Sequence, residues 1–216
     1  MTVKAPAPDY AAARQAMVDS QLRPQGVNDP SVIAAMSLVP REKFVPDDQR
    51  PLAYVDRASP VGEGRELPPA AVTGLLLTAL APLPGQKALV VGAATGYAAA
   101  VLAEMGIKAV ALESSTALAA AAKKLRVSTV EGALEEGHER SAPYDFILIN
   151  GAVEFIPDAL VDQLKDGGRL AGAIVDQGIT RLFVGRKAGG GFGYHSIADS
   201  ATPALPGFAR PRAFTF

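Results

Sequence analysis

Ala88-Leu-Val-Val-Gly-Ala-Ala-Thr-Gly-Tyr97 decides how this chain is read. An apolar run ends in a glycine turn, and an alanine-rich helical pattern follows. Strand, tight turn and helix in that order open a nucleotide-binding βαβ unit, whose helix N-terminal amides face a ligand. The usual fingerprint carries three glycines; here the positions read Gly92, Ala94 and Gly96. Glu113 lies 113 − 92 = 21 residues beyond the first glycine, the spacing at which a carboxylate accepts hydrogen bonds from a ribose diol. A plainer reading exists, in which the glycines allow close strand–helix packing and Glu113 is a solvated strand end. The strand before, the helix after and the acid at that distance together favour a nucleotide site. Redox dinucleotides and S-adenosylmethionine both use this geometry, and the motif alone leaves the choice open.

Downstream, strand and helix alternate at short spacing. Lys87–Val91 reads as a strand, Tyr97–Met105 as a helix, Ala109–Leu112 as a strand, Thr116–Leu125 as a helix and Ser128–Glu131 as a strand. Phe146–Asn150 is apolar on both faces, which suits a central parallel strand. Pro157–Leu164 reads as a helix stopped by Gly167-Gly168, and Arg169–Val175 as a strand. This alternation calls for a doubly wound parallel sheet with right-handed crossovers. Thr180–Gly185 and Ala213–Phe216 read as two late strands, with a glycine-rich loop at 189–193 between them, forming an antiparallel edge; Phe208, Phe214 and Phe216 either close that edge, the plainer reading, or form a contact surface.

Upstream, residues 1–8 read as a loose tail. Asp9 caps a helix over Tyr10–Leu22, with Ala13, Met17 and Leu22 on one face. Asn28-Asp29-Pro30 starts a second helix that turns Val32, Ile33 and Met36 inward and stops near Pro40. The prolines and glycines of residues 40–68 predict an extended connection without regular elements. Pro68-Pro69 opens a helix that runs to about Ala81. The chain thus divides into an N-terminal helical extension with a loop (1–68) and an α/β domain (69–216), forming one compact unit.

Of the 216 residues 49% are hydrophobic, enough for a substantial core, and the formal net charge is −1. No basic excess is available to hold a phosphate backbone, so nucleic acid is not an expected partner. There is no cysteine, which removes disulfides, thiolate metal sites and cysteine nucleophiles. His138 and His195 stand far apart without ligand-like neighbours, so no metal is expected. No segment has the pattern of a leader or a membrane span. The expected setting is soluble and cytoplasmic.

The chain from about residue 10 onward resembles the protein-L-isoaspartate O-methyltransferases. The matching stretches run in order: Met17-Val-Asp-Ser-Gln-Leu22 with Gly26-Val27; Val32-Ile-Ala-Ala-Met36; the loop Val39-Pro-Arg-Glu-Lys-Phe-Val-Pro46; Ala53-Tyr-Val-Asp56; Val91-Gly92 with Thr95-Gly-Tyr97; Val101-Leu-Ala-Glu104. Tyr144-Asp145, Gly151-Ala152, Ile156-Pro157, Gln163-Leu164 and Gly167-Gly-Arg-Leu170 continue the likeness. The resemblance implies a mostly parallel, seven-stranded, Rossmann-like methyltransferase sheet that uses S-adenosylmethionine. It also implies methyl transfer to the free carboxylate of isoaspartyl residues in damaged proteins, which would be the partners. It assigns cofactor contacts to Val91, Gly92, Ala93, Ala94, Gly96, Tyr97, Glu113, Ser114, Gly132, Ala133, Leu134 and Asn150, and a substrate loop to Arg65, Glu66, Leu67 and Pro68.

The sequence departs from the family pattern around the cleft. Glu66 stands where the family has a threonine, and Pro68 where it has the serine held to be catalytic. Proline has neither a hydroxyl nor an N–H, so donors are missing, and Glu66 adds a like charge beside an incoming carboxylate, with Arg65 next to it to offset that charge. Val90 replaces the acid that precedes the glycine turn, Ala94 the middle glycine, and Ala133 the aspartate after the third strand. Two functions follow: methyl transfer of the family type, or a catalytically degenerate relative that binds a ligand or a protein.

Overall fold

The computed structural model describes residues 8–210. Its centre is a seven-stranded sheet of order β5-β4-β3-β6-β7-β8-β9. The strands are β3 (Lys87–Val91), β4 (Lys108–Glu113), β5 (Thr129–Glu131), β6 (Tyr144–Val153), β7 (Leu164–Asp176), β8 (Ile179–Ala188) and β9 (Gly191–Asp199). The first five are parallel; β8 pairs antiparallel with both β7 and β9. Strand β3 pairs with β4 on one side and β6 on the other. The order of connection reverses there, and crevices form at such points beyond the carboxyl ends of the strands. Gly92 follows the last residue of β3 and so sits at this switch.

Alternate residues of β3 and β6 serve two apolar layers, as a strand period of two requires. Ala88, Val90, Phe146 and Leu148 face one layer; Leu89, Val91, Ile147 and Ile149 face the other. The first layer is packed by α1 (Tyr10–Met17), α2 (Pro30–Leu38), α3 (Ala70–Leu80), α4 (Tyr97–Glu104) and α5 (Thr116–Lys124). Met17, Val27 and Met36 of the extension share this core with Leu76, Val101 and Ala88 of the sheet domain. The second layer has one short helix, α6 (Asp158–Asp162). Leu134, Leu160, Leu205 and Phe208 complete its cover. The chain after β9 is therefore part of the core, and Ala152 N–H donates to the Pro203 carbonyl at 2.7 Å while Leu205 N–H donates to the Ala152 carbonyl at 2.8 Å.

Helices α1 and α2 start at capping side chains. The Asp9 carboxylate accepts from the Ala11 and Ala12 amides, and that of Asp29 from Ser31 and Val32, with Pro30 in the first turn. The first helix differs from expectation at its end, where Val18–Leu22 widens into a π-helical turn that buries both Val18 and Leu22. Residues 40–68 also depart from the expected extended connection. They contain 3-10 turns at Arg41–Phe44 and Asp47–Leu52 and an antiparallel hairpin of β1 (Ser59–Gly62) and β2 (Arg65–Leu67). Pro40 and Pro46 precede the two 3-10 turns, Pro51 lies inside the second and Pro60 within β1, so the prolines do not prevent short elements. Gly167-Gly168 lies within the irregular start of β7 and does not end the helix, which stops at Asp162. At the edge, the partner of β8 is β9, joined by a tight turn at Gly189-Gly190. The expected strand at Ala213–Phe216, like the tail at 1–7, lies outside the described residues.

Asp29 offers a direct test of this capping. Asp29→Ala is expected to cost about 1 kcal/mol in chemical denaturation. Hydrogen bonds from the Ser31 hydroxyl and the Val32 amide hold the Asp29 carboxyl below its ordinary value of 3.8. A depressed carboxyl stabilises the fold above the unfolded-state value, so the difference between wild type and variant shrinks as pH falls below 3.8.

Candidate functional site: the cleft at the end of β3

The glycine turn keeps the backbone of a nucleotide-binding loop. Gly92 has φ +70° and Gly96 +93°, a region that L side chains rarely adopt. Ala94, at the middle position of the motif, takes φ 52°. A non-glycine residue in the left-handed region costs roughly 1–2 kcal/mol. Part of the compensation is visible: the Ala94 amide donates to Glu113 Oε2 at 2.6 Å. The motif's shape therefore survives the missing glycine, and Glu113 holds it.

Glu113 ends β4, as its spacing predicts, and is completely buried. Oε1 accepts from the amides of Ser114 and Ser115 at 2.9 and 3.1 Å, next to the N-terminus of α5, where a helix dipole favours negative charge. The same oxygen forms an ion pair with Arg65 Nη1 at 2.7 Å; the side chains are 0% and 6% exposed. Arg65 Nη2 donates to the Gly92 carbonyl at 3.1 Å, and Asn150 Nδ2 donates to that same carbonyl at 3.1 Å. Arg65, at the start of β2, thus reaches into the cleft, where its guanidinium is engaged on Glu113 and the Gly92 carbonyl and makes no ion pair with Glu66 among the described residues.

Leu205 closes the cleft from the other side. A Cβ at Gly92 would lie 2.8 Å from either Leu205 methyl and 3.1 Å from Arg65 Nη2; one at Gly151 would lie 2.5 Å from Leu205 Cγ. Both glycines are therefore covered by protein side chains. Val91, Ala93, Ala94, Tyr97 and Leu134 are buried, and Val90 lies in the core. Gly132 and Ala133 lie at the rim, with the Gly132 amide donating to the Glu113 carbonyl at 3.2 Å. A cavity of about 810 Å³ lies elsewhere, lined by Lys87, Ala103, Ile107, Lys108 and Leu125 near the amino ends of β3 and β4.

The Val39–Pro46 loop packs on the helix side of the turn. The Thr95 hydroxyl donates to the Phe44 carbonyl at 2.5 Å, and Phe44 meets Tyr97 edge-on with ring centroids 5.6 Å apart. The Arg41 guanidinium lies 4.9 Å from the Tyr97 ring centre. Its Nε donates to the Ala53 carbonyl at 2.9 Å and its Nη2 to the Pro68 carbonyl at 2.7 Å. Arg41 and Tyr97 are both buried, and burial lowers the pKa of the first and raises that of the second, leaving a neutral phenol. Among the assigned loop residues, Leu67 and Pro68 are buried and Glu66 is half-buried.

The structure brings Arg65, Gly92, Ala94, Glu113, Ser114 and Asn150 together. Sequence reasoning did not find Leu205 or the inward course of Arg65. Nothing local marks Leu205, which lies 113 residues from Gly92 in the chain. For Arg65 one signal existed: the cleft's fixed anion, Glu113, had no other cation assigned to it.

Comparison with known proteins gives a consistent result. A family model described as protein-L-isoaspartate(D-aspartate) O-methyltransferase matches residues 12–197. A protein-L-isoaspartate O-methyltransferase of Methylorubrum extorquens is 44% identical over 171 residues, covering 76% of this chain and 75% of the relative. One of Rhodopseudomonas palustris is 38% identical over 184 residues, covering 82% and 75%. A solved protein-L-isoaspartate O-methyltransferase superposes with TM-score 0.78 at 22% identity, over 90% of this chain and 66% of that one. A Plasmodium falciparum protein assigned the same activity, solved with S-adenosyl-L-homocysteine, gives TM-score 0.74 at 18% identity, over 92% and 99%. Both structures share the fold.

The buried pair makes a prediction about stability. Glu113→Gln leaves the Arg65 charge buried without a counter-charge and turns an amide NH₂ towards an N–H donor. Unfolding in urea is expected to show a loss of about 3–5 kcal/mol, with the midpoint lowered and the slope unchanged. A loss under 1 kcal/mol would mean that water reaches the pair.

Proposed function

Because the chain belongs to the protein-L-isoaspartate (D-aspartate) O-methyltransferase family, we propose that it methylates the free carboxylate of isoaspartyl residues in damaged proteins, using S-adenosylmethionine. The observation that carries the reading is the family match over residues 12–197, together with relatives near 40% identity. The seven-stranded sheet, the Gly92–Gly96 turn at its switch point and Glu113 at the end of β4 are in keeping with it. Isoaspartyl-containing proteins as partners and a cytoplasmic setting belong to the same proposal.

The chemistry asks little of acid–base groups. A carboxylate is ionised at neutral pH, so the oxygen that accepts the methyl group needs no base. The cofactor supplies the electrophilic methyl. The chain's task is to hold the acceptor oxygen in line with it, where proximity and orientation account for most of the acceleration. Glu113 and Asn150 are the polar side chains of the cleft suited to holding a ribose and fixing the turn. In the arrangement described, Arg65 and Leu205 lie over Gly92, and both Glu113 oxygens are hydrogen-bonded.

That arrangement, with Pro68 at the position of the family's serine, favours a second reading: a family member without methyl transfer that binds a ligand or a protein partner. Titration calorimetry with S-adenosylmethionine and S-adenosylhomocysteine separates the two, followed by methylation of an isoaspartyl peptide. Binding and peptide methylation are expected under the first reading; absence of heat at millimolar ligand removes it. The substrate loop supplies a further prediction. Pro68→Ser with Glu66→Thr restores two hydroxyls and removes a like charge, so peptide methylation is expected to rise by roughly 10-fold or more, at 1.4 kcal/mol per decade for a hydrogen bond to a charged group. If cofactor binds and the double variant gains nothing, the loop does not meet the substrate in this way.

A further inference from the structure

We propose that Arg65 is an internal latch on the cofactor cleft, standing where a nucleoside ribose would stand and competing with it for Glu113. The inference rests on the preceding reading of this cleft as an S-adenosylmethionine site, and it adds how access to that site is controlled.

The geometry carries it. A ribose diol needs acceptor positions on the carboxylate at the end of the second strand. Here Oε1 of Glu113 takes Arg65 Nη1 and the Ser114 and Ser115 amides, while Oε2 takes the Ala94 amide. An ionised carboxylate offers about two acceptor sites on each oxygen; Oε1 of Glu113 is fully engaged while Oε2 carries the Ala94 amide alone, so a diol that spans both oxygens needs the position on Oε1 that Arg65 takes. The backbone amides are fixed by the turn and by the start of α5. Arg65 is the one partner on a separate element, and it is the one that a diol would have to replace. Its second contact, Nη2 to the Gly92 carbonyl, places the guanidinium over the glycine whose missing side chain gives a ligand close approach.

The element that carries Arg65 is suited to move. It is a two-stranded hairpin, β1–β2, with a break in register at Pro60/Gly62 and an exposed tip at Gly62, Glu63 and Gly64. Two-stranded hairpins are marginal in water unless something packs on them. Ser59, Val61 and Leu67 pack inward, and the Pro68 carbonyl after β2 is held by Arg41. The base is therefore anchored while the tip is exposed, and withdrawal of Arg65 rearranges the strand between Val61 and Leu67, which stay in the core. Leu205 is the second half of the closure, anchored by its pairing with Ala152.

Withdrawal of Arg65 does not strand Glu113 as an isolated buried charge. The carboxylate keeps the Ala94, Ser114 and Ser115 amides, and the opened cleft admits water or the diol. An apparent dissociation constant is the intrinsic one divided by the fraction of open molecules. A latch that keeps most molecules closed therefore weakens cofactor binding without altering the contacts in the bound state.

The test is calorimetric titration of S-adenosylhomocysteine into the full chain, with wild type and Arg65→Gln compared after circular dichroism shows both folded. Arg65→Gln is expected to bind roughly 10- to 100-fold more tightly, as removal of a closed state populated by that ratio requires. A second readout is hydrogen exchange in residues 59–67, which is expected to accelerate when wild type is saturated with S-adenosylhomocysteine. Equal affinities with unchanged exchange would overturn the latch, and peptide methylation by the wild type would leave the proposed function standing. Tighter binding by Arg65→Gln with no methylation by either protein would support the latch and refute the function. Absence of binding in both proteins would refute both. Should Arg65→Gln fail to fold, Arg65→Lys carries the test: it keeps the charge opposite Glu113 but lacks the fork that reaches the Gly92 carbonyl. A several-fold gain in affinity is then expected, and no gain overturns the proposal.

Discussion

The Glu113 carboxylate is the constraint on which the rest of the site depends. It is wholly buried, and a buried carboxylate persists only when its oxygens are hydrogen-bonded and its charge is met. The fold meets these needs from separate directions. Ala94 offers its amide because the turn after β3 adopts a left-handed residue there, strained as it is. Ser114 and Ser115 offer theirs because β4 ends where α5 begins. Arg65 supplies the positive charge from the hairpin. The distorted turn, the helix start and the hairpin are thus tied through one side chain, and a change in any of them is felt at the other two.

A second tie runs through Arg41, which links elements that share no backbone pairing. Its guanidinium holds the carbonyls of Ala53 and Pro68 and lies on the ring of Tyr97. Tyr97 is the first residue of α4, so this contact joins the helix of the nucleotide motif to the loop of the extension and to the end of β2. Arg41 and Glu113 therefore restrain the hairpin region from opposite sides, one at its base and one at the inward reach of Arg65. The extension belongs to the site as much as the sheet does. Removing it would uncover the core layer shared by Met17, Met36, Leu76 and Val101 and would release Pro68 and Tyr97 together.

What could be read from the sequence was what local rules govern. The apolar runs and glycine turn gave the order of strands and helices from β3 to β7, because strand period and helix period are properties of short segments. Asp9 and Asp29 marked helix starts because a cap acts on its own first turn. The switch-point position of Gly92 and the strand-end position of Glu113 followed from the same logic. Residues 40–68 were misread because proline and glycine report where regular structure is interrupted but not that short turns and a hairpin fit between the interruptions. Strand β9 was missed because Gly191 and Gly193 read as loop, whereas pairing with β8 supplies the backbone hydrogen bonds that propensity does not predict. The closure of the cleft was out of reach for a different reason. Which way Arg65 points and what Leu205 covers are decided by contacts across 48 and 113 residues, and no local pattern encodes them.

The departures around the cleft share a direction. Val90 is an apolar side chain in the core, Pro68 is buried without a donor to offer, and Arg65 meets the charge of Glu113. Each leaves fewer free polar groups for a ligand to meet. Active sites are ordinarily destabilised when unliganded because such groups are left waiting. Here the Glu113 carboxylate is met from within by Arg65 and three backbone amides, while the buried Tyr97 hydroxyl has no hydrogen-bond partner among the described residues. Under the latch proposed above, an entering diol displaces Arg65 from Glu113, and Leu205 gives way by apolar contact alone. Affinity in such a site depends on how readily the hairpin gives up Glu113 as well as on the fit of the ligand. The charge of the cleft is therefore concentrated in the buried Arg65–Glu113 pair, with the Gly92–Gly96 turn beside it.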